Sequence, residues 1–174
     1  MISKFSDECC PESSLKRVRD IFSLTSKGVS GLNVEQRDEF FYNWAGCYIE
    51  RAPDQTLLVR NGDKRIVGYL VGCLDSARAG QLCKRIFYYK AFLDLYDSYP
   101  GHFHINCDPE FQQMGFGRQL VKKYLHCAQN AGLTGVHLVT GINASNRRFY
   151  HKLGFADQYP RIVEGRSLVL LGQR

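Results

Sequence analysis

The chain has 174 residues, enough for one domain with a substantial core, and 44% of them are hydrophobic, as is usual for globular proteins. No apolar run approaches the roughly 20 residues of a membrane span, and the N-terminal stretch lacks the hydrophobic segment of a signal peptide. The net charge of +6 suits nucleic acid or a polyphosphate ligand, but no basic stripe with interleaved aromatics marks a nucleic-acid-binding protein. We expect a cytoplasmic protein with no membrane or nucleic-acid partner.

The cysteines and histidines do not have the spacing of a metal site or a disulfide framework. Seven cysteines are present, an odd number, and no two of them form a C-x-x-C pair. This pattern predicts reduced thiols and no bound metal. The adjacent pair Cys9 and Cys10 is left open between a modification site and an exposed tail.

The first half of the chain has the pattern of helices followed by strands. Apolar residues at helical spacing predict helices over residues 13–24, capped by Ser13 or Ser14, and 34–45. Residues 55–60 and 65–73 are predicted strands, because Asn61-Gly62-Asp63-Lys64 between them is a hairpin signal. We expect residues 1–12 to be a flexible tail of a single domain that spans residues 1–174.

The second half alternates between strands and helices. The predicted elements are a helix over 82–95, a strand at Gly101–Cys107, a helix over 118–131, a strand over 135–140, a helix over 144–153 and a strand over 167–171. Together with the first half, this order predicts a mixed α/β domain.

A glycine-rich turn joins one of these strands to the helix that follows it. The turn reads Gln112-Gln113-Met114-Gly115-Phe116-Gly117. Free N–H groups and the positive end of the helix dipole coincide at such a turn, and glycines let the backbone approach an anion closely. The turn therefore predicts a ligand that carries phosphate.

A second group of polar residues lies in the predicted helix over 144–153 and just before it. Asn143, Asn146 and Tyr150 have the spacing i, i+3 and i+7, which places them on one helix face. Two amides and a phenol can hold an amide-rich ligand and supply a proton. Taken singly, Asn143 is an ordinary N-cap and Tyr150 an ordinary tyrosine at the edge of the core.

These two segments carry a family resemblance. Residues 105–117 resemble motif A of the GNAT superfamily of N-acetyltransferases, Q/R-x-x-G-x-G/A, and residues 143–155 resemble its motif B. Residues 48–53, 67–75 and 101–105 are also similar to one GNAT group, which includes the acetyltransferase-like domain of O-GlcNAc hydrolases and its free-standing bacterial relatives. The resemblance covers about residues 17–155.

The resemblance implies a fold and an activity. The implied fold is a GNAT-like α/β (α+β) domain with a mixed, mostly antiparallel sheet of about six to seven strands, flanking helices and a splayed pair of fourth and fifth strands. The implied activity is direct transfer of an acetyl group from acetyl-CoA to a primary amine by a monomer or homodimer. The acceptor stays open, and the alternative is a non-catalytic acyl-CoA-binding module of the same fold.

The resemblance also implies roles for individual residues. Tyr150 would protonate the CoA thiolate, and Asn143 would bind the pantetheine arm. Asn146, on the same predicted helix face, is a further candidate for binding the cofactor. The backbone groups of Ile105 and Cys107 would contact the pantetheine arm and the acetyl carbonyl. The residues that would surround the pyrophosphate are Gln112, Gln113, Met114, Gly115, Phe116, Gly117 and Arg118.

The general base is the open part of this scheme. His102 and His104 lie on one face of their strand, and histidine as a residue type can accept a proton near neutral pH, so either is a candidate. The alternative is that either histidine only hydrogen-bonds within a packed sheet. Asn106 replaces the aspartate that is usual in the O-GlcNAc-hydrolase-like group, and an amide cannot accept a proton. Asn146 replaces the alanine that is common in motif B.

Overall fold

The computed structural model describes residues 1–82 and 86–174 and forms two compact units. The first unit comprises Met1–Gly72 and His104–Tyr124, and the second comprises Cys73–Phe103 and Leu125–Arg174. The single domain over residues 1–174 stays a prediction. In chain order the elements are β1 (Ile2–Lys4), α1 (Pro11–Thr25), α2 (Val34–Phe41), a π-helix (Tyr42–Gly46), α3 (Cys47–Arg51), β2 (Leu57–Arg60), β3 (Ile66–Cys73), α4 (Ser76–Leu82), a 3-10 helix (Tyr89–Leu95), β4 (Gly101–Cys107), a 3-10 helix (Pro109–Phe111), α5 (Phe116–Asn130), β5 (Val136–Gly141), α6 (Arg147–His151), β6 (Asp157–Val163) and β7 (Arg166–Gln173).

The strands form one seven-stranded sheet in the order β1-β2-β3-β4-β5-β7-β6. Strands β4 and β5 are parallel and pair at their first residues, Gly101 with Val136 and His102 with His137. The pairs β1–β2, β2–β3, β5–β7 and β6–β7 are antiparallel. The predicted mixed, mostly antiparallel sheet with flanking helices is thereby confirmed.

The N-terminal residues are structured, so the tail predicted for residues 1–12 is wrong. Ile2–Lys4 pairs with β2 as an edge strand, and α1 begins at Pro11, a residue that suits the first helical position because it lacks an N–H. The predicted serine caps are also wrong, since the hydroxyl of Ser14 is buried and donates to Glu8 Oε2 at 2.6 Å.

The second predicted helix is longer than expected and changes its winding. Asn33 and Gln36 form a reciprocal capping box at the start of α2. From Tyr42 to Gly46 the chain is a π-helix, and α3 continues it to Arg51. A π-helical turn inserts an extra residue and so rotates the side chains that follow, which is common near functional sites.

A single helix was predicted over residues 82–95, of which the structure does not describe residues 83–85. For the described residues of this range the prediction is wrong. The chain forms α4 before this stretch and a 3-10 helix at Tyr89–Leu95. Phe92 has non-helical angles inside the 3-10 helix, and Tyr96 donates to the carbonyl of Tyr89 at 2.9 Å. Tyr89, Phe92 and Tyr96 are buried, so these aromatic residues of the segment belong to the core.

The edge strand β6 (Asp157–Val163) was not predicted from the sequence. Pro160 interrupts its strand pattern, and proline is tolerated there because β6 lies at the edge of the sheet.

Cys47 is disulfide-bonded, so the expectation of reduced thiols is wrong for this residue. In the described parts of the chain, none of the helices combines the length and the apolar character needed to cross a membrane.

Candidate functional site

The glycine-rich turn of the first unit has the geometry of an anion-binding loop. Gln113 and Gly115 both have left-handed backbone angles, with φ of 63° and 87°. The N–H of Gln119 donates to the carbonyl of Gly115 at 3.1 Å, which makes Gly115 the N-cap of α5. The next three N–H groups, at positions 116–118, therefore have no partner inside the helix and are available to an anion.

The surroundings of Gly115 leave room for such a ligand. A Cβ atom built on Gly115 would meet no atom within 4 Å, and residues 112–115 are exposed. Gln112 Nε2 donates to the carbonyl of Cys107 at 3.1 Å, which connects the turn to the end of β4. We call residues 112–118 the phosphate loop.

In the same unit, His104 packs between aromatic rings of the α2–α3 segment. The ring centroids of Trp44 and Tyr48 lie 5.3 and 5.7 Å from that of His104, both edge to face. Tyr48 is fully buried, while Trp44 and His104 are half-buried. Trp44 lies in the π-helix, and Tyr48 follows it in α3, so the change in helical winding helps to orient both rings toward His104.

The neighbouring polar residue on this face of β4 is fixed by a hydrogen bond. Asn106 Nδ2 donates to Thr25 Oγ1 at 2.6 Å, and the Thr25 hydroxyl in turn donates to the carbonyl of Ile21 at 2.8 Å. Asn106 therefore links β4 to the C-terminal end of α1. A neutral amide in this position holds the two elements together and cannot act as a general base.

Cys107 lies on the opposite face of β4, where its thiol is held in the neutral form. Burial, together with the negative charge of Asp108, raises the pKa of Cys107 to about 11. Its Sγ atom would lie 2.9 Å from a Cβ built on Gly68, so only glycine fits on the adjacent strand. A thiol of this kind is a poor nucleophile at neutral pH.

In the second unit, Tyr150 belongs to an aromatic cluster. Its ring centroid lies 5.0 Å from that of Phe149, 6.0 Å from Phe155 and 6.2 Å from Phe103. The residue is 7% exposed. The rings around Tyr150 fix the position of its phenol.

The predicted helical stripe of Asn143, Asn146 and Tyr150 is wrong, because α6 begins only at Arg147. Hydrogen bonds fold the preceding residues into turns instead. Thr140 Oγ1 donates to Asn146 Oδ1 at 3.1 Å, and Arg147 Nη1 donates to the carbonyl of Ile142 at 2.5 Å. Asn143 and Asn146 are exposed residues of these turns, and their ligand contacts stay a prediction.

His102, the other candidate base, lies in a buried polar cluster of the second unit. It is 2% exposed, hydrogen-bonds to Tyr89 and lies 3.3 Å from Ser76 Oγ through Nδ1. Its ring stacks on His137, whose Nδ1 hydrogen-bonds to the carbonyl of Tyr99 at 2.7 Å. Burial, opposed by its backbone hydrogen bonds, lowers the pKa of His137 to about 4, so this ring is neutral.

Sequence patterns gave no sign of the ion pairs that surround Asp108. This residue lies directly after β4 and contacts Arg17 and Arg65, which are 91 and 43 residues away in the chain. The dipeptide Asp108-Pro109 is only a turn signal in the sequence. Among the residues that the structure describes, no group of three histidine, cysteine or acidic side chains could hold a metal ion.

Comparison with known proteins places this geometry in a family. Residues 15–155 match the model of the Acetyltransferase (GNAT) family. The chain matches none of the curated proteins with which it was compared.

Solved structures share the fold over the full length of the chain. SsHAT aligns with a TM-score of 0.75 and 22% identity, covering 99% of this chain and 96% of its own. PH1933 from Pyrococcus horikoshii OT3 aligns with a TM-score of 0.69 and 22% identity, covering 100% and 98%. Naa20 from Chaetomium thermophilum, in complex with a bisubstrate analogue, aligns with a TM-score of 0.62 and 15% identity, covering 99% and 85%. With a family model that spans most of its residues, this protein is an acyltransferase that belongs to the acetyltransferase (GNAT) family.

Proposed function

We propose that the protein is an N-acetyltransferase that takes an acetyl group from acetyl-CoA and transfers it directly to a primary amine. The observation that carries the proposal is the phosphate loop, with the left-handed Gly115 as the N-cap of a 15-residue helix. A helix N-terminus with free N–H groups and open space beside its glycine fits a diphosphate group.

The roles of the loop residues follow from its backbone. Gln112, Gln113, Met114, Gly115, Phe116, Gly117 and Arg118 surround the diphosphate of CoA mainly through main-chain N–H groups. Because the contacts come from the backbone, the exposed side chain of Met114 tolerates substitution, whereas the glycines do not. The backbone groups of Ile105 and Cys107, with Asn143 and Asn146, contact the pantetheine arm.

Acetyl transfer to an amine needs a base, because only the neutral amine attacks the thioester carbon. His104 is the better of the two candidate bases, since it is half-buried beside Trp44, whereas His102 is enclosed by Ser76 and Tyr89. In this scheme the amine nitrogen bonds to the acetyl carbon and its proton passes to the imidazole of His104, directly or through water. The side chain of Asn106 takes no part in proton transfer.

The leaving group, the thiolate of CoA, needs a proton donor. As the carbon–sulfur bond breaks, the electron pair stays on sulfur, and the phenol of Tyr150 donates its proton to the thiolate. Solvent then restores the proton to Tyr150. The aromatic cluster around the ring keeps the phenol oriented through the reaction.

The test is a matched pair of glycine substitutions at the two ends of α5. Gly115 and Gly132 both have left-handed angles, with φ of 87° and 73°, and at neither position would an added methyl group meet an atom within 4 Å. Alanine therefore causes similar backbone strain at both. We expect calorimetry to show CoA binding by the wild type and by Gly132→Ala, and binding weakened about tenfold or more, ~1.4 kcal/mol, in Gly115→Ala. A wild type that binds no CoA would refute the proposal.

The second candidate function is a non-catalytic acyl-CoA-binding module of the same fold. An assay of thiol release from acetyl-CoA over a panel of amines separates the two, because only the enzyme releases CoA in proportion to the acceptor. The panel includes small amines, aminosugars, peptide N-termini and protein lysines.

We also propose that the protein is cytoplasmic and that it is a monomer or homodimer built from a single domain. A relation to the acetyltransferase-like domain of O-GlcNAc hydrolases is a further proposal, which is supported by sequence similarity alone.

A further inference from the structure

The carboxylate of Asp108 is buried on the N-terminal side of the phosphate loop, from which the 3-10 helix Pro109–Phe111 separates it. The residue is 2% exposed and lies between the end of β4 and the 3-10 helix Pro109–Phe111. Its Oδ2 accepts hydrogen bonds from the guanidinium of Arg17 and, at 3.4 Å, from that of Arg65. Its Oδ1 accepts from the N–H of Glu110 at 3.0 Å. The three residues that donate to this carboxylate therefore come from three different segments of the first unit.

The same residues connect the main chain of three elements. Arg17, on α1, also donates through Nε to the carbonyl of Ile66 at the start of β3, at 3.0 Å. The N–H of Asp108 donates to the carbonyl of Val67 at 2.9 Å. The segment that leads into the phosphate loop is thus fixed to β3 by its backbone and to α1 by an ion pair.

A buried carboxylate is costly unless it is paired, and here the pairing is strong. Burial alone would raise the pKa of Asp108, but the bonds from Arg17 and Glu110 and the charges of Arg17 and Arg65 outweigh it and lower the pKa. The loop that follows contains the left-handed non-glycine residue Gln113, a conformation that persists only where its surroundings enforce it. The ion pair supplies such an anchor at the beginning of the loop.

We propose that Asp108, held by Arg17, is a positioning residue that sets the phosphate loop in the conformation that binds the diphosphate of the acyl donor. The inference rests on the proposed function. Asp108 itself does not contact the donor, because its carboxylate is buried and its negative charge would repel a phosphate. Its effect is on donor affinity and reaches the ligand only through the loop.

The chain offers a matched control, the ion pair of Glu8 and Arg60 in the same unit. Arg60 Nη2 and Glu8 Oε2 are 2.5 Å apart, and the two side chains are 18% and 8% exposed, against 19% and 2% for Arg17 and Asp108. Glu8 connects the segment before α1 to β2, and within the described parts of the chain its side chain makes no hydrogen bond to residues 108–118. Glu8→Gln therefore weakens the unit without touching the anchor of the loop.

The experiment compares Asp108→Asn with Glu8→Gln. Asparagine keeps the size of the side chain and the acceptor for Glu110 but removes the charge. We expect both variants to lower the melting temperature, and only Asp108→Asn to weaken CoA binding in calorimetry, by about tenfold, against less than about twofold for Glu8→Gln. The KM for acetyl-CoA should rise with the Kd, and kcat should change by less than about twofold.

A truncated donor gives a readout that a merely structural role would not move. S-acetylpantetheine lacks the diphosphate, so Asp108→Asn and the wild type should use it with equal kcat/KM. If Asp108→Asn does not fold, Arg17→Lys replaces it, because lysine keeps the charge but cannot bond to Asp108 and Ile66 together. Equal losses of CoA affinity in the Asp108 and Glu8 variants, or a matching loss with S-acetylpantetheine, would overturn the inference while leaving the proposed function intact. Absence of CoA binding by the wild type would overturn both.

Discussion

Asn106 on β4 donates a hydrogen bond of 2.6 Å to the hydroxyl of Thr25, the last residue of α1. The two residues are 81 positions apart in the chain, and the bond joins the helix to the strand that also contains His104. Since the threonine hydroxyl donates to Ile21, it can accept from Asn106 at the same time. The relationship explains why an amide is compatible with this position.

Thr25→Val removes the hydroxyl but keeps the shape of the side chain. It leaves the half-buried amide of Asn106 without its acceptor, which should lower the free energy of unfolding by about 1–2 kcal/mol. Urea denaturation followed by circular dichroism measures the change. Ser23→Ala is the control, because the exposed Ser23 hydroxyl donates to the carbonyl of Arg19 on the same helix, and its loss should cost less than about 0.5 kcal/mol.

Tyr150→Phe keeps the ring in its aromatic cluster and removes only the proton donor. CoA affinity should stay near that of the wild type, while kcat should fall by about ten- to a thousand-fold. The loss should appear in kcat more than in the KM for acetyl-CoA, because the proton is needed only as the thiolate leaves. An unchanged kcat, with chemistry shown to be rate-limiting, would assign the proton to water instead.

The two histidines of β4 should respond differently to the same substitution. His104→Gln removes the proposed base and should lower kcat/KM at neutral pH by about a hundredfold, with the loss shrinking at high pH, where the amine is already neutral. His102→Gln should act mainly on stability, because His102 is buried against Tyr89 and Ser76. Rates across pH 6–10 and melting temperatures for both variants decide the matter; equal kinetic losses would contradict the assignment of the base.

The buried His137 should make the protein less stable in mild acid. Its pKa is lowered from 6.5 to about 4, so between these values the unfolded chain binds a proton that the folded chain does not. Linkage then predicts that the free energy of unfolding falls as the pH drops, by about 1.5 kcal/mol between pH 6.5 and pH 5. Urea denaturation at both pH values measures the fall.

The control for this prediction is His137→Gln, which keeps a donor for the carbonyl of Tyr99 but does not titrate. The variant should reduce the fall in the free energy of unfolding between pH 6.5 and pH 5 by about 1.5 kcal/mol, whatever its stability at neutral pH. The ring of His102 stacks on one side of His137 and that of Tyr96 on another, and both remain in the variant. If the free energy of unfolding of the variant falls with pH as steeply as that of the wild type, His137 is not the cause of the pH dependence.

Local patterns in the sequence were sufficient for the elements whose signals lie within a few residues. The hairpin at Asn61-Gly62-Asp63-Lys64, the strand Gly101–Cys107 and the apolar face of α5 all follow from neighbouring side chains and backbone preferences. The turn of the phosphate loop belongs to this class, because a glycine can adopt the left-handed conformation of Gly115 without steric cost. The sequence by itself thus predicted strands β2, β3, β4, β5 and β7 and the turn of the phosphate loop, but neither of the edge strands β1 and β6.

Tertiary structure decided what depends on residues far apart in the chain. The helical stripe through Asn143 failed because hydrogen bonds from Thr140 and Arg147 hold that segment in turns. Arg17, which pairs with Asp108, and Thr25, which accepts from Asn106, lie on α1, 91 and 81 residues earlier, and no periodicity in the sequence predicts such pairs. His102 and His104 look alike in the sequence, two residues apart on one strand face, and only packing separates them. Burial and the identity of distant partners, which the fold alone creates, set the chemistry of each side chain.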